Sequence, residues 1–145
     1  MRITAVHTAV VEANYDWTFV RVDSDDGLSG LGECFTAPGL TAIVRDLAPL
    51  LVGEDPRDVD RLWSKLRWGA SGAGSSAGIV YNAISGMEAA LWDLVGKAYG
   101  VPIHRLLGGR FRAVNARPPF HHIEIDFHNP LLAPCQLDQY GKIGF

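Results

Sequence analysis

Cysteine is scarce in this sequence. The 145 residues include two, Cys34 and Cys135, which stand far apart and outside any CxxC spacing. A disulfide framework needs several cysteines, and cysteine-based zinc sites need closely spaced pairs, so the sequence excludes both classes. We expect both thiols to be reduced.

Long apolar runs are also missing. The longest, residues 47–52, is interrupted by Pro49 and is far shorter than the roughly 20 residues that cross a bilayer. The first residues alternate in character and lack the apolar block of a secretory signal. We therefore expect no membrane partner and a cytoplasmic location.

There is no excess of basic charge. The formal net charge is −3 and the isoelectric point about 5.9, whereas nucleic-acid binding depends on clustered lysine and arginine. The densest basic cluster is Arg105, Arg110 and Arg112, which we interpret as a solvated helix end. We expect no nucleic-acid partner.

Alternating apolar and polar residues dominate the first part of the chain. Residues 2–12, 17–23 and 28–33 have the period of two that is typical of strands. Asp25-Asp26-Gly27 supplies a tight turn, because glycine adopts the positive φ that short hairpins require. These segments predict a three-stranded antiparallel meander.

From residue 40 the period changes to about 3.6, which is typical of helices. The pattern predicts a helix over 40–51 that Pro49 bends or ends, and a second that begins at Asp55-Pro56. A third is predicted over 77–99. Residues 69–78 are rich in glycine, serine and alanine and predict a mobile loop.

Small residues mark the third helix. Gly100 and Pro102 end it by left-handed capping and chain breaking. Gly86, Ala89 and Ala90 would let a sheet or another helix approach closely. The predicted fold class is therefore α+β, a three-stranded antiparallel meander followed by a helical layer.

Three stretches resemble those of mandelate racemase and muconate lactonizing enzymes, which belong to the enolase superfamily. They are DDGLSGLGE at 25–33, PLLVGEDPRDVDRLW at 49–63 and AISGMEAALWDLVGKAYGVPIHRLLGG at 83–109. The resemblance implies that residues 1–112 form the N-terminal capping domain with its linker helix. In that family substrate lies between the loops of the cap and a TIM barrel.

The resemblance also implies a chemistry for full-length relatives. They abstract the proton α to a substrate carboxylate, using Mg²⁺ held by three barrel carboxylates and a lysine or histidine base. The metal stabilises the charge of the enediolate. The implied activity is that of an acid-sugar dehydratase or racemase, and the implied partner is a small-molecule carboxylate or sugar acid.

The barrel itself is missing from this chain. A TIM barrel takes roughly 250 residues, and 33 follow Arg112. The only lysine among them is Lys142, and their carboxylates are Glu124, Asp126 and Asp138. No catalytic or metal residue of the family can be placed on this chain, so we expect it to hold no cofactor and to be inactive alone.

Residues 113–145 depart from the family pattern. They loosely resemble the C-terminal segment that returns from the barrel to pack on the cap, which could add a strand to the sheet. The alternative is a frameshifted or unrelated sequence. We favour the first origin.

Two segments are candidates for substrate loops. Tyr15, Asp16 and Trp17 lie between the first two predicted strands, where the resemblance places a cap loop that contacts substrate. Trp68 and Ser71 lie in a stretch that resembles a second cap loop. That stretch lacks the lysine of a phosphate-binding loop. The alternative for Trp17, favoured without a barrel, is that it covers a small core.

The tail offers a weaker metal hypothesis. If residues 121–128 form a strand, His122, Glu124, Asp126 and His128 share one face. Neighbours on that face lie about 6.6 Å apart, so four cannot reach one ion without bending. A solvated strand face is the preferred interpretation.

Three acids in the cap are the remaining candidates for chemistry: Glu33, Glu88 and Asp93. Glu88 and Asp93 are five residues apart and do not share a helix face. We expect them to make structural hydrogen bonds.

The competing function is a free-standing module. A cap without its barrel exposes an apolar face, which favours self-association as a homo-oligomer or the binding of a ligand. The sequence leaves open whether the chain is an enzyme.

Overall fold

The structure is a computed structural model that describes residues 1–12, 16–73 and 77–110, together with the backbone of two short strands at 136–137 and 143–144. Three strands form one layer: β1 (Ile3–Val11), β2 (Trp17–Ser24) and β3 (Ser29–Phe35). They pair in the antiparallel order β1-β2-β3. The predicted meander is confirmed, and its strand ends differ from the prediction by one or two residues.

The hairpin between β2 and β3 turns as predicted. Gly27 has a φ of 82°, and its N–H donates to the Ser24 carbonyl at 3.2 Å. The Ser24 hydroxyl lies 2.5 Å from Asp26 Oδ1, and this hydrogen bond lowers the pKa of the Asp26 carboxyl. The turn is therefore stabilised by the residue types that predicted it.

Helices form the second layer of the domain. They are α1 (Leu40–Leu47), α2 (Val59–Gly69), α3 (Ile79–Tyr99) and α4 (Ile103–Leu106), with 3₁₀ turns at Ala48–Leu50 and Ser71–Ala73. Helix α1 ends just before Pro49, because proline cannot supply the next backbone donor. The end of α2 and a 3₁₀ turn occupy the first part of the loop predicted at 69–78. Residues 74–76 lie outside the described residues.

The predicted start of the second helix is wrong. Asp55 does not cap a helix, because α2 begins only at Val59. The Asp55 carboxylate instead accepts a hydrogen bond from the Arg57 N–H at 3.0 Å and from Arg57 Nε at 2.9 Å. The carboxylate is thereby used in a local turn, an alternative to capping that Asp side chains commonly take.

Helix α3 is the centre of the core. Six of its side chains are fully buried: Ala83, Ile84, Met87, Ala90, Leu91 and Leu94. It ends at Gly100, whose φ is 64°, and the Val101 N–H donates to the Gly96 carbonyl at 2.9 Å. This is the predicted left-handed cap.

Backbone contact between α3 and β3 is unusually close. A Cβ on Gly32 would overlap the Gly86 carbonyl oxygen, and one on Gly30 would overlap that of Ala90. The predicted close approach at Gly86 and Ala90 is confirmed. Ala89 does not take part, since it is exposed.

Strands β4 (Gln136–Leu137) and β5 (Ile143–Gly144) pair with each other in a separate two-stranded sheet. The two tail strands that the structure describes thus do not extend the meander as expected. No helix in the described part of the chain is long and apolar enough to span a membrane.

Candidate functional site

An exposed aromatic pair marks one end of the sheet. Trp17 begins β2 and lies opposite Phe35, the last residue of β3. Because side chains alternate across a strand, the next pair, Thr18 and Cys34, points into the core while the aromatic rings point outward. Trp17 is 41% exposed and Phe35 82% exposed. We term this end of the sheet, with the adjoining ends of α2 and α3, the loop end.

A chain of hydroxyl groups lies beneath the pair. The Thr36 hydroxyl donates to the Asp16 carbonyl oxygen at 2.7 Å. It also lies 3.0 Å from the Thr18 hydroxyl. Since Thr36 has one hydroxyl proton, Thr18 must be the donor of that second hydrogen bond. Thr18 is 1% exposed, so Thr36 satisfies a buried donor.

Helix α3 holds the end of β3 through Asn82. The Phe35 N–H donates to Asn82 Oδ1 at 3.0 Å, and Asn82 Nδ2 donates to the Phe35 carbonyl at 2.5 Å. The amide thereby mimics a neighbouring strand at the open edge of β3. The backbone that carries Phe35 is fixed to the longest helix of the domain.

The end of α2 joins the same region. Arg67 Nε donates to the Tyr81 hydroxyl at 3.2 Å, and Tyr81 precedes Asn82. Trp68, the next residue of α2, is 79% exposed, and Ser71 is exposed in the following 3₁₀ turn.

The structure thus places four of the five sequence candidates at the loop end. Asp16 and Trp17 adjoin Phe35 and Thr36, whereas Trp68 and Ser71 lie at the end of α2. Tyr15 lies outside the described residues.

A shallow groove of about 270 Å³ lies beside Ser71. Seven residues of α1, α2, α3 and the adjoining turns line it: Ile43, Asp46, Leu47, Gly69, Ala70, Gly72 and Val80. Asp46 is the one charged side chain among them. The groove is slightly smaller than the pockets that usually enclose a small molecule, so a second surface would be needed to close a site here.

Acidic side chains of α3 make structural contacts. Asp93 Oδ2 accepts the Leu31 N–H at 2.8 Å and the Lys97 ammonium at 2.6 Å. Glu88 accepts a longer hydrogen bond from the Trp92 indole at 3.4 Å. The predicted structural role of both acids is confirmed, while Glu33 is exposed.

A second groove, of about 540 Å³, lies between α3 and α4 and includes Asp93 and Lys97. Because these two side chains pair with each other, the lysine is already neutralised and the groove is not built to attract an anion.

A strongly ionised carboxylate lies away from the loop end. Glu54 accepts hydrogen bonds from Lys65 at 2.5 Å and Arg61 at 2.8 Å, and these partners lower its pKa to about 2. Its carbonyl oxygen accepts the Ile3 N–H at 2.9 Å, next to the start of β1. This cluster stabilises the junction of sheet and helices and has no free group for chemistry.

The described residues contain no group of three or more histidine, cysteine, aspartate or glutamate side chains that could hold a metal ion. The Mg²⁺ that the family resemblance implies therefore finds no ligand set in this part of the chain. The tail candidates His122, Glu124, Asp126 and His128 lie outside the described residues.

Sequence reasoning missed Phe35, Thr36 and Asn82. Phe35 follows the predicted third strand by two residues, so a longer strand would have placed it opposite Trp17. No sequence signal connects Asn82 with Phe35, since they stand 47 residues apart.

Comparison with known proteins supports the family and the extent of the match. The mandelate racemase/muconate lactonizing enzyme N-terminal domain matches residues 2–108. A D-xylonate dehydratase from Haloferax volcanii is 48% identical over 110 residues, which cover 76% of this chain and 27% of that protein.

Similar solved structures support the same family. A mandelate racemase/muconate lactonizing enzyme-like protein from Rubrobacter xylanophilus has a TM-score of 0.71 and 51% identity, over 77% of this chain and 28% of that one. A Burkholderia xenovorans protein solved with magnesium and fumarate has a TM-score of 0.70 and 30% identity, over 77% and 28%.

The chain therefore spans between a quarter and a third of the length of these relatives. The matched region contains the meander, the four helices and the loop end. The chain belongs to the mandelate racemase/muconate lactonizing enzyme family, and the part that places it there is the N-terminal domain.

Proposed function

We propose that this chain is the substrate-side cap of an acid-sugar dehydratase or racemase and that it has no such activity alone. The observation that carries the proposal is the set of exposed aromatic side chains at the loop end. Large apolar groups exposed together are typical of a surface that is covered in the functional state.

The cap would contact the substrate and exclude water from the site. Trp17 and Phe35 offer apolar surface over which a bound carboxylate or sugar acid is shielded, and Asp16 offers a polar group beside them. Enclosure strengthens electrostatic interactions in a site. The Haloferax and Burkholderia relatives, whose names include D-xylonate and fumarate with magnesium, indicate small carboxylates as the ligand class.

Proton abstraction would belong to the barrel of a longer enzyme. Mg²⁺ supplies charge stabilisation to an enediolate when bound there. The described residues offer no metal ligand set, so no catalytic step is assigned to them.

A first test measures turnover by the purified chain of 145 residues. Incubated with Mg²⁺ and D-xylonate or D-galactonate, it should form no 2-keto acid. Turnover above that of a buffer blank would contradict the proposal of inactivity.

A second test transfers the cap. Residues 1–110 would replace the matching segment of the Haloferax D-xylonate dehydratase, and Trp17→Ala would be made in the chimera. Loss of an aromatic contact of about 1.4 kcal/mol should raise KM about tenfold. The control is Tyr99→Ala, which removes a 56% exposed ring at the opposite end of α3. Equal KM values for the two variants would refute a substrate role for the loop end.

Self-association is the second candidate function. Leu31, which is 41% exposed, shares the outer sheet face with Trp17 and Phe35, because all three occupy odd positions in the strand register. A second copy of the chain would cover this face in an isologous dimer. Light scattering should then give twice the monomer mass for the wild type and the monomer mass for Leu31→Glu.

A further inference from the structure

We propose that Thr36 is a positioning residue: its hydroxyl holds the Asp16 carbonyl and thereby fixes the end of the β1–β2 connection, with Trp17, relative to α3. The inference rests on the proposed function, in which Asp16 and Trp17 face the ligand. Thr36 lies outside the β1–β2 connection, yet it determines where Asp16 and Trp17 lie.

The β1–β2 ladder ends at the pair of Val11 and Trp17, so Asp16 lies just beyond the last strand pair. Hydrogen bonds at a ladder end open most readily. The Thr36 hydroxyl, 2.7 Å from the Asp16 carbonyl, supports the chain at this point from a different segment.

Thr36 is itself held in place through its neighbour in the chain. It follows Phe35, whose N–H and carbonyl are both bonded to Asn82 at 3.0 and 2.5 Å. Asn82 lies near the start of α3, a helix of 21 residues with a buried face. The support for Asp16 is thereby connected through two residues to the longest helix of the domain.

The hydrogen bonds of the two threonines run in one direction. Buried Thr18 donates to the Thr36 oxygen, and Thr36 donates to Asp16. Valine at position 36 has nearly the same shape as threonine but leaves the Thr18 donor and the Asp16 acceptor without this partner. Serine keeps the hydroxyl, so the two substitutions separate hydrogen bonding from packing.

The experiment measures amide hydrogen exchange by mass spectrometry in the whole chain of 145 residues. Thr36→Val should accelerate exchange of peptides that contain residues 11–17 at least fivefold, with β3 and α3 peptides unchanged. Thr36→Ser should restore the wild-type rate. Thr4→Val, at an exposed threonine of β1, is the matched control and should change nothing at 11–17.

Three results would overturn the proposal. Residues 11–17 could exchange at the wild-type rate in Thr36→Val, Thr36→Ser could be as fast as Thr36→Val, or exchange could rise equally in all peptides. Neither substrate nor barrel is needed here, so a failure would leave the proposed function intact. Conversely, an unchanged KM for Trp17→Ala in the chimera would refute that function while the exchange result still stood.

Discussion

Replacing Gly32 by alanine should destabilise the domain more than any exposed glycine substitution. Gly32 lies in the middle of β3, facing α3. An added Cβ would overlap the Gly86 carbonyl oxygen and lie 2.7 Å from the Ala90 nitrogen and 3.1 Å from the Gly86 carbonyl carbon. All three are backbone atoms of a helix, so none can rotate away as a flexible side chain would.

The loss of folding stability follows from the distance by which α3 must move away from the sheet. Ordinary Cβ contacts begin near 3.4 Å, so the Ala90 nitrogen must move by at least about 0.7 Å and the nearer Gly86 carbonyl oxygen by more. A gap of that size forfeits a quarter to a half of each dispersion contact of about 0.1–0.2 kcal/mol. Over some tens of atom pairs between helix and sheet, the expected loss is about 2–4 kcal/mol. That is a large fraction of the usual 5–15 kcal/mol of folding stability.

Urea unfolding of the whole chain, followed by far-ultraviolet circular dichroism, measures this loss. The matched control is Gly72→Ala, because Gly72 has no atom within 4 Å of an added Cβ. Its substitution should change the free energy of unfolding by less than about 1 kcal/mol. If Gly32→Ala and Gly72→Ala gave equal values, the close helix-to-sheet contact would be refuted.

Three further substitutions test other contacts. Gly86→Ala would place a Cβ on the Cys34 sulfur, so it should lower the free energy of unfolding by about 1–3 kcal/mol. In a double-mutant cycle, Cys34→Ala should recover part of this loss. Simple additivity of the two substitutions would contradict the contact. The pKa of Glu54 is about 2 against an ordinary 4.5. The ionised Glu54 carboxylate therefore stabilises the folded state fully above about pH 4.5, and this contribution is lost as the pH falls to 2. Urea midpoints of the wild type and Glu54→Gln should accordingly differ at pH 7 and converge at pH 2, and a constant difference would refute the ion pairing. Asn82→Ala removes both hydrogen bonds to Phe35 and should lower the free energy of unfolding by about 1–2 kcal/mol in the same urea assay. An unchanged urea midpoint would show that water replaces these hydrogen bonds.

Local patterns predicted the elements well where one signal dominated. The alternation in β1 to β3 and the 3.6-residue period of α3 each identify a buried face, because only that face excludes water. Gly27 and Gly100 marked the turn and the helix end, since both have the positive φ that glycine favours.

Local patterns failed where two uses of a side chain compete. Asp55 followed by proline is a good helix start, yet its carboxylate bonds Arg57 and the helix begins at Val59. A capping bond and a turn bond use the same oxygen atoms and similar backbone geometry. The choice depends on where the following chain must pack, which sequence spacing does not reveal.

Some residues of the candidate site could likewise be predicted from the sequence, and others could not. The resemblance to the family pointed to Asp16, Trp17, Trp68 and Ser71, and all four are exposed in the structure. Phe35, Thr36 and Asn82 could not be predicted, because their roles depend on which strand and which helix lie beside them.

The sequence by itself determined the family, the order of strands and helices, and which face of each is apolar. These properties depend on neighbours within a few residues, so periodicity and glycine placement record them. Tertiary structure alone decided that Gly32 meets Gly86, that Asn82 holds Phe35 and that Thr36 reaches Asp16. Such contacts join residues 20 to 54 positions apart, and a pattern within one segment contains no information about the partner that packing brings to it.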